Sequence, residues 1–301
     1  MKLRKLLNSA LVISVLYMAA PVCRAGEAVM RNIEGFSKEA NAQLGAFLAA
    51  TRNEKGRKVA VFDGDGTVIG QVPHYLADEC LYGYAKKHPE RKPELIDEMR
   101  GQSNVSLPYV QNRVRYFAGE SAQFLRGLGK ECFAAAYSKK IFQPMRRLID
   151  LLKENGFEIW VVSASPEAMY QQFLSEAFKI PVTNIIGVRS VIRQGIITDE
   201  IIPPVPQDKG KKEAVETFIQ ETPLLAAGNS RGDREMIEFS RGLRIMVNPD
   251  EHIEAGEKES VADYAKRNDW LTVRMNDIPE KDFPAVSSND YGIRLNKAWA
   301  W

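Results

Sequence analysis

Asp63 and Asp65 stand one residue apart at the end of the apolar run Val59-Ala60-Val61-Phe62, with Gly64 and Gly66 around them and Thr67 beyond. A continuous Val/Ala/Phe run is the signature of a parallel strand covered on both faces, and ligand sites of open α/β sheets lie just past the carboxyl ends of such strands. The pair is therefore placed for chemistry; the plain alternative is a strand followed by an acidic turn, since Asp and Gly are ordinary turn residues. Two later apolar runs also end in polar loops: Val161-Val162 in Ser163, and Leu224-Leu225-Ala226-Ala227 in Gly228-Asn229-Ser230-Arg231-Gly232-Asp233. In a parallel sheet these loops share one edge, so carboxylates, a hydroxyl and an amide far apart in sequence converge on one cleft. Lys209-Gly210-Lys211-Lys212, between the second and third loops, is a basic helix start that can reach the same cleft.

The elements that must hold these groups alternate along the chain. Residues 31–50 carry apolar side chains at helical spacing, closed by Lys55-Gly56 before the first strand. From Pro144 the pattern predicts a helix to Asn155, a strand over Phe157–Val162, a helix from Pro166 to about Ala177, a strand over Asn184–Val188 and a small hairpin over Val191–Ile197. It continues with a helix over Lys209–Ile219, a strand over Pro223–Ala227, a helix from about Arg234 to Ser240 and a last core strand over Arg244–Val247. Such alternation predicts an α/β fold, a doubly wound parallel sheet with helices on both faces. From about Gln71 to Phe142 helical patterns recur without a strand, which predicts an all-helical insertion. The tail after Lys281 is weakly patterned and is expected to be irregular.

The run Phe62-Asp63-Gly64-Asp65-Gly66-Thr67, then Val161-Val162-Ser163, then a lysine before a helix, then Gly228-Asn229-Ser230-Arg231-Gly232-Asp233 resembles the four ordered motifs of the haloacid dehalogenase superfamily. The second aspartate resembles the phosphatase branch, and the insertion resembles that superfamily's helical C1-type cap. The export signal and layout are similar to bacterial exported phosphoserine phosphatase-like and phosphorylcholine phosphatase-like members. The resemblance implies a Rossmann-like core formed by residues 26–70 and 143–301, with a cap over residues 71–142. It implies that Asp63 is a nucleophile forming an aspartyl-phosphate, and that Asp65 gives a proton to the leaving alkoxide and later takes one from water. Thr67, Ser163 and Lys211 would bind the phosphoryl group, while Asp63, Asp65 through its carbonyl, Asn229 and Asp233 would hold Mg²⁺. Taken singly, Ser163 reads more simply as a cap of the helix that follows, Asp233 can cap the next helix, and the three lysines are most simply a solvated helix start; the spacing before Ala214-Val215 favours Lys211. The family usually carries aspartate where this chain has Asn229, whose amide brings an oxygen but no charge.

The amino terminus narrows the setting. Lys2, Arg4 and Lys5 precede an apolar run from Leu6 to Ala20, and Cys23 and Ala25 frame a cleavage point before Gly26, the pattern of a secretory signal peptide over residues 1–25. Its removal takes away four basic residues and shifts the formal charge from +2 to −2. A near-neutral chain gives no electrostatic reason to expect nucleic acid or a stable membrane association. The expected compartment is periplasmic or extracellular. There Cys80 and Cys132 can pair, although two buried thiols fit the sequence equally well.

The expected function is a Mg²⁺-dependent phosphomonoesterase acting on a small-molecule phosphate ester. Its rivals are a non-catalytic phosphate- or metal-binding protein of the same fold and a phosphotransferase to an acceptor alcohol. Specificity is expected on the cap, where Arg113 and Arg115 favour a substrate with a second anionic group. The cap aromatics Tyr75, Tyr82, Tyr84, Tyr109, Tyr116 and Phe117 fit a core better than a quaternary-amine cage. His74 and His88 are expected to be hinge or surface groups.

Overall fold

Val59–Phe62 form strand β1 with all four side chains buried. Ala60 and Phe62 enter one apolar core and Val59 and Val61 another on the opposite face, the two-residue alternation of a strand covered on both sides. The computed structural model describes residues 29–279 and 287–301; the predicted signal peptide lies outside them.

The other strands are β2 (Glu158–Pro166), β3 (Ile185–Arg193), β4 (Ile196–Ile202), β5 (Leu225–Gly228), β6 (Leu243–Val247) and β7 (Leu271–Val273). They form one sheet in the order β4-β3-β2-β1-β5-β6-β7. Every neighbouring pair is parallel except β3 and β4. Strand β1 pairs with β2 on one side and β5 on the other, so the order reverses there and the crevice opens at its carboxyl end.

Two sequence expectations change. The hairpin over Val191–Ile197 is larger than its pattern, because β3 runs through Arg193, turns at Gln194-Gly195 and returns as β4, making this sheet edge antiparallel. Arg244–Val247 does not end the sheet: β7 pairs beyond β6, and three residues are too short to show an alternation.

Helix α1 (Lys38–Ala50) precedes β1, and between β1 and β2 the described chain is helical: α2 (Leu76–Lys87), α3 (Pro93–Arg100), α4 (Leu107–Arg115) and α5 (Ala122–Cys132), then a π turn over Phe133–Tyr137. Next come α6 (Gln143–Glu154), α7 (Glu167–Phe178), α8 (Lys209–Ala214), α9 (Arg234–Glu238), α10 (Val261–Arg267) and α11 (Ser287–Asp290). Leu44, Leu148 and Phe173 bring α1, α6 and α7 to the face that Phe62 enters. Ala214 and Met236 bring α8 and α9 to the other, where Val261 and Ala265 of α10 add a third cluster with Ala226 and Met246.

The insertion leaves and rejoins the core side by side. Ile69 bridges Ile141, the Gly70 N–H donates to the Lys140 carbonyl at 2.8 Å, and the Phe142 N–H to the Val68 carbonyl at 3.1 Å. Cys80 and Cys132 form a disulfide that ties α2 to the end of α5. Tyr82, Tyr109, Tyr116 and Phe117 are fully buried core. His74 is buried at the exit from the core, its ring nitrogens 3.0 Å from the Arg294 carbonyl and 2.9 Å from the Asn289 side-chain oxygen. The weakly patterned tail is thus a strap: α11 packs on α2, and the Asn296 N–H donates to the Pro73 carbonyl at 2.8 Å.

Candidate active site

Strand β1 delivers Asp63 to the crevice, and pairing with β5 continues one residue further, the Asp63 N–H donating to the Ala227 carbonyl at 2.9 Å. The chain then turns sharply: the N–H groups of Thr67, Val68 and Ile69 all point to the Gly64 carbonyl at 2.9–3.3 Å. Gly66 has φ +75°, and a Cβ there would lie 2.2 Å from the Asn229 amide nitrogen, so both conformation and space require glycine. Gly228 serves the facing loop, where a Cβ would meet that of Asp233 at 2.3 Å.

Lys211 joins the first and fourth motifs. Its Nζ lies 2.7 Å from Asp63 Oδ1 and 2.5 Å from Asp233 Oδ1, with all three side chains nearly shut off from solvent. Lys209 and Lys212 instead face outward, paired with Glu213 and Glu216 one helical turn on. The second Asp233 oxygen accepts from the N–H groups of Asn229 and Ser230 at 3.0 and 2.9 Å and from Ser230 Oγ at 2.9 Å. Asp233 therefore shapes its own loop and anchors Lys211, with no hydrogen bond to the Asp63–Asp65 loop among the described residues. Asn229 does reach that loop: its outer amide atom, an oxygen as oriented, is 3.2 Å from Asp63 Oδ2 and 3.1 Å from the Asp65 carbonyl oxygen. Thr67 Oγ1 is 3.4 Å from that same atom.

A cation fits this arrangement on two counts. With the Asn229 oxygen toward the loop, three oxygens face one another as a hard-cation donor set; with the amide turned over, its nitrogen donates to both partners instead. The buried charges around Lys211 also do not balance: among the described residues it is the one cation paired with the Asp63 and Asp233 carboxylates, one positive charge against two. The residues that can hold a metal are thus Asp63, the Asp65 carbonyl and Asn229.

Burial pushes the Asp63 carboxyl up to about 7; the Asp233 charge adds to this and Lys211 opposes it. Burial likewise raises Asp65 to about 6, against hydrogen bonds from Tyr170 and Ser165 that favour the ionised form. For Lys211 burial works against the charge, but the Asp233 and Asp63 carboxylates outweigh it and hold its pKa above the ordinary value. Both carboxyls therefore hold a proton more tightly than a free aspartate, and their partners tell them apart: Lys211 bonds Asp63, whereas Tyr170 and Ser165 bond Asp65.

Ser163 is buried in the same crevice, where its Oγ accepts from the Ser165 N–H at 3.2 Å. Sequence reading missed Tyr170 and Ser165. The Tyr170 hydroxyl lies 2.9 and 2.8 Å from the two Asp65 oxygens, and Ser165 Oγ donates to Asp65 Oδ2 at 3.0 Å. The two-residue strand period carries a signal for Ser165, since it shares a strand face with Ser163. Tyr170 gives none: it sits among Met169, Phe173 and Leu174 as one more core residue of α7. On the insertion, Arg113 is buried against Asp78, its Nε donating to Asp78 Oδ1 at 2.8 Å. Arg113 also lies over the Tyr75 ring, and its Nη2 has no hydrogen-bond partner among the described residues. Arg115 points elsewhere, with bonds to Asn112 and the Asp199 carbonyl.

Comparison with known proteins agrees with this geometry. The family model for haloacid dehalogenase-like hydrolase matches residues 60–238. Phosphoserine phosphatase SerB1 of Mycobacterium tuberculosis (strain ATCC 25618 / H37Rv) is 24% identical over 216 residues, 66% of this chain and 68% of that protein. Among solved structures, a conserved protein of unknown function from Anaerococcus prevotii DSM 20548 shares the fold with TM-score 0.60 at 15% identity, over 82% of this chain and 96% of that one. One of unknown function from Bordetella pertussis Tohama I does so with TM-score 0.57 at 16% identity, over 73% and 99%. With the matched region running from within β1 to the end of α9 and so enclosing the three polar loops and Lys211, the chain belongs to the haloacid dehalogenase-like hydrolases.

Proposed function

We propose that the chain is a Mg²⁺-dependent phosphomonoesterase that hydrolyses a small-molecule phosphate ester through an aspartyl-phosphate on Asp63. The observation that carries this reading is the buried triad of Asp63, Lys211 and Asp233 at the end of the central strand, with the Asp65 carboxyl beside it. An Asp63 oxygen attacks phosphorus as the ester P–O bond breaks, and Asp65 gives its proton to the leaving alkoxide. In the second half Asp65 takes a proton from water as that water attacks phosphorus, releasing inorganic phosphate and restoring the Asp63 carboxylate. Lys211 balances charge on the transferring group, and Thr67 and Ser163 supply hydroxyls to its oxygens. Mg²⁺, held by Asp63, the Asp65 carbonyl and Asn229, would neutralise phosphoryl charge and keep Asp63 ionised. Asp233 acts in this scheme by holding Lys211.

The helical insertion is the cap that shields the reaction from bulk water. The unpartnered Arg113 nitrogen favours a substrate with a second anionic group. Export is supported by the amino-terminal pattern and by the Cys80–Cys132 disulfide, a bond that persists in oxidising compartments. The test is phosphate release by the chain from Gly26 onward from a panel of phosphomonoesters, with and without Mg²⁺, beside Asp63→Asn. Metal-dependent release lost in the variant supports the mechanism; release that survives Asp63→Asn refutes it.

A further inference from the structure

Asp65 is asked to present one carboxyl to the leaving group and then to water, yet a lone carboxyl turns freely about its Cβ–Cγ bond. Its surroundings remove that freedom. The Tyr170 hydroxyl spans both of its oxygens at 2.9 and 2.8 Å, and Ser165 Oγ donates to Oδ2 at 3.0 Å. A phenol has a single proton to give. The Tyr170 oxygen also accepts from the Ala77 N–H of α2 at 3.2 Å, which occupies a lone pair and leaves the proton for Asp65. Tyr170 is fully buried, and Phe133 and Phe173 pack near it as a stacked pair, with Phe173 edge-on to its ring. Two elements therefore meet on one carboxyl, β2 through Ser165 and α7 through Tyr170, and the insertion joins them through the Ala77 bond to Tyr170.

We propose that Tyr170, with Ser165, is the positioning residue that fixes the Asp65 carboxyl for proton transfer, and that its bond to Ala77 ties this orientation to the seating of the insertion. The inference rests on the acid role assigned to Asp65 above. A positioning residue for a general acid matters in proportion to how much the leaving group needs a proton. Alkyl esters need one badly, whereas 4-nitrophenolate leaves readily without it.

The experiment compares kcat/KM for glycerol 2-phosphate and 4-nitrophenyl phosphate in the wild type, Tyr170→Phe, Ser165→Ala and Asp65→Asn, with thermal unfolding of each. Tyr170→Phe should lower kcat/KM for glycerol 2-phosphate at least ~10-fold more than for 4-nitrophenyl phosphate, with Asp65→Asn showing the same selectivity more strongly. Equal losses on the two esters in Tyr170→Phe, with Asp65→Asn selective, would overturn the inference while leaving the acid assignment standing. If Asp65→Asn is itself unselective, the acid assignment falls and this inference with it. Should Tyr170→Phe fail to fold, Ser165→Ala decides by the same ratio, because it removes a donor to Asp65 without touching the Ala77 contact.

Discussion

Replacing Lys211 by methionine removes one ammonium group from between two carboxylates and leaves both behind. Nζ sits 2.7 Å from Asp63 and 2.5 Å from Asp233, and the three side chains are 6%, 8% and 0% exposed. Breaking such a buried pair from one side costs about 3–5 kcal/mol, because the orphaned charge cannot reach water. For a domain of this size that is a fall in Tm of roughly 6–20 °C. The control is Lys212→Met: that ammonium is 3.4 Å from Glu216 with both side chains over 40% exposed, so its loss should cost no more than about 1 kcal/mol. Adding Asp63→Asn to Lys211→Met removes one of the stranded carboxylates and should recover about 1–3 kcal/mol. Activity of the single variant should fall about 10²–10³-fold through loss of charge stabilisation at the phosphoryl group. Chemical denaturation of the four proteins in chelator, with phosphate release measured in Mg²⁺, reads all of these. A loss under 1 kcal/mol in Lys211→Met, or an equal loss in Lys212→Met, would refute the reasoning.

The metal-free protein should lose stability as pH rises. The folded-state pKa of Asp63, about 7, lies above its ordinary 3.8, so its contribution is complete below about pH 4 and is lost as pH climbs through about 7. In chelator, Asp63→Asn should therefore gain Tm over wild type progressively between pH 4 and 8, and a gap constant with pH would contradict the shift. Changing Cys80 and Cys132 to serine opens a loop of sequence separation 52 and should cost about 4 kcal/mol; an unchanged unfolding midpoint under oxidising conditions would show that the packing of α2 on α5 suffices. Asn229→Asp adds a charge to the oxygens facing Asp63 and Asp65 and should lower the Mg²⁺ needed for half-maximal activity about tenfold, roughly 1.4 kcal/mol. An unchanged or higher requirement, read from Mg²⁺ titrations, would remove Asn229 from the metal site.

What the sequence made legible is what local pattern encodes. Val59–Phe62 is apolar without a break because both faces of β1 are covered, and the glycines after it mark the turn that swings Asp65 round. Lys211 was separable from Lys209 and Lys212 because it falls where α8 buries its first turn against the loops of β1 and β5. Contacts between distant segments left no such trace. Tyr170 stands 105 residues from Asp65 on a helix whose spacing speaks only of a core. The Cys80–Cys132 bridge depends on how α2 meets α5, which spacing does not determine. Asp277, in a stretch with almost no periodicity, finds Lys140 only because both linkers of the helical insertion pass beside it.

That last contact bears on how the enzyme works. Asp277 Oδ1 accepts from Lys140 Nζ at 3.0 Å and Oδ2 from the Gln71 N–H at 2.8 Å, so one buried carboxylate holds the outgoing and the returning linker together. Gly70 leaves room for it, since a Cβ there would lie 2.4 Å from Asp277 Oδ1. The far side of the insertion is held as well: Gly119 and Ala122 donate to Ile197 and Gly195 at 2.9 and 3.1 Å, and Ile197 donates back to Glu120 at 2.8 Å, at the edge of β4. An insertion that swung about these linkers would have to break the bonds to β4. Asp63, Asp65, Thr67 and Lys211 are each no more than 6% exposed in this arrangement, so exclusion of water is the resting condition of the site, and admission of substrate is what must be added to it. Opening costs least where few buried contacts must be broken. Among the described residues α3 is one such segment, an eight-residue helix with only Ile96 and Met99 buried.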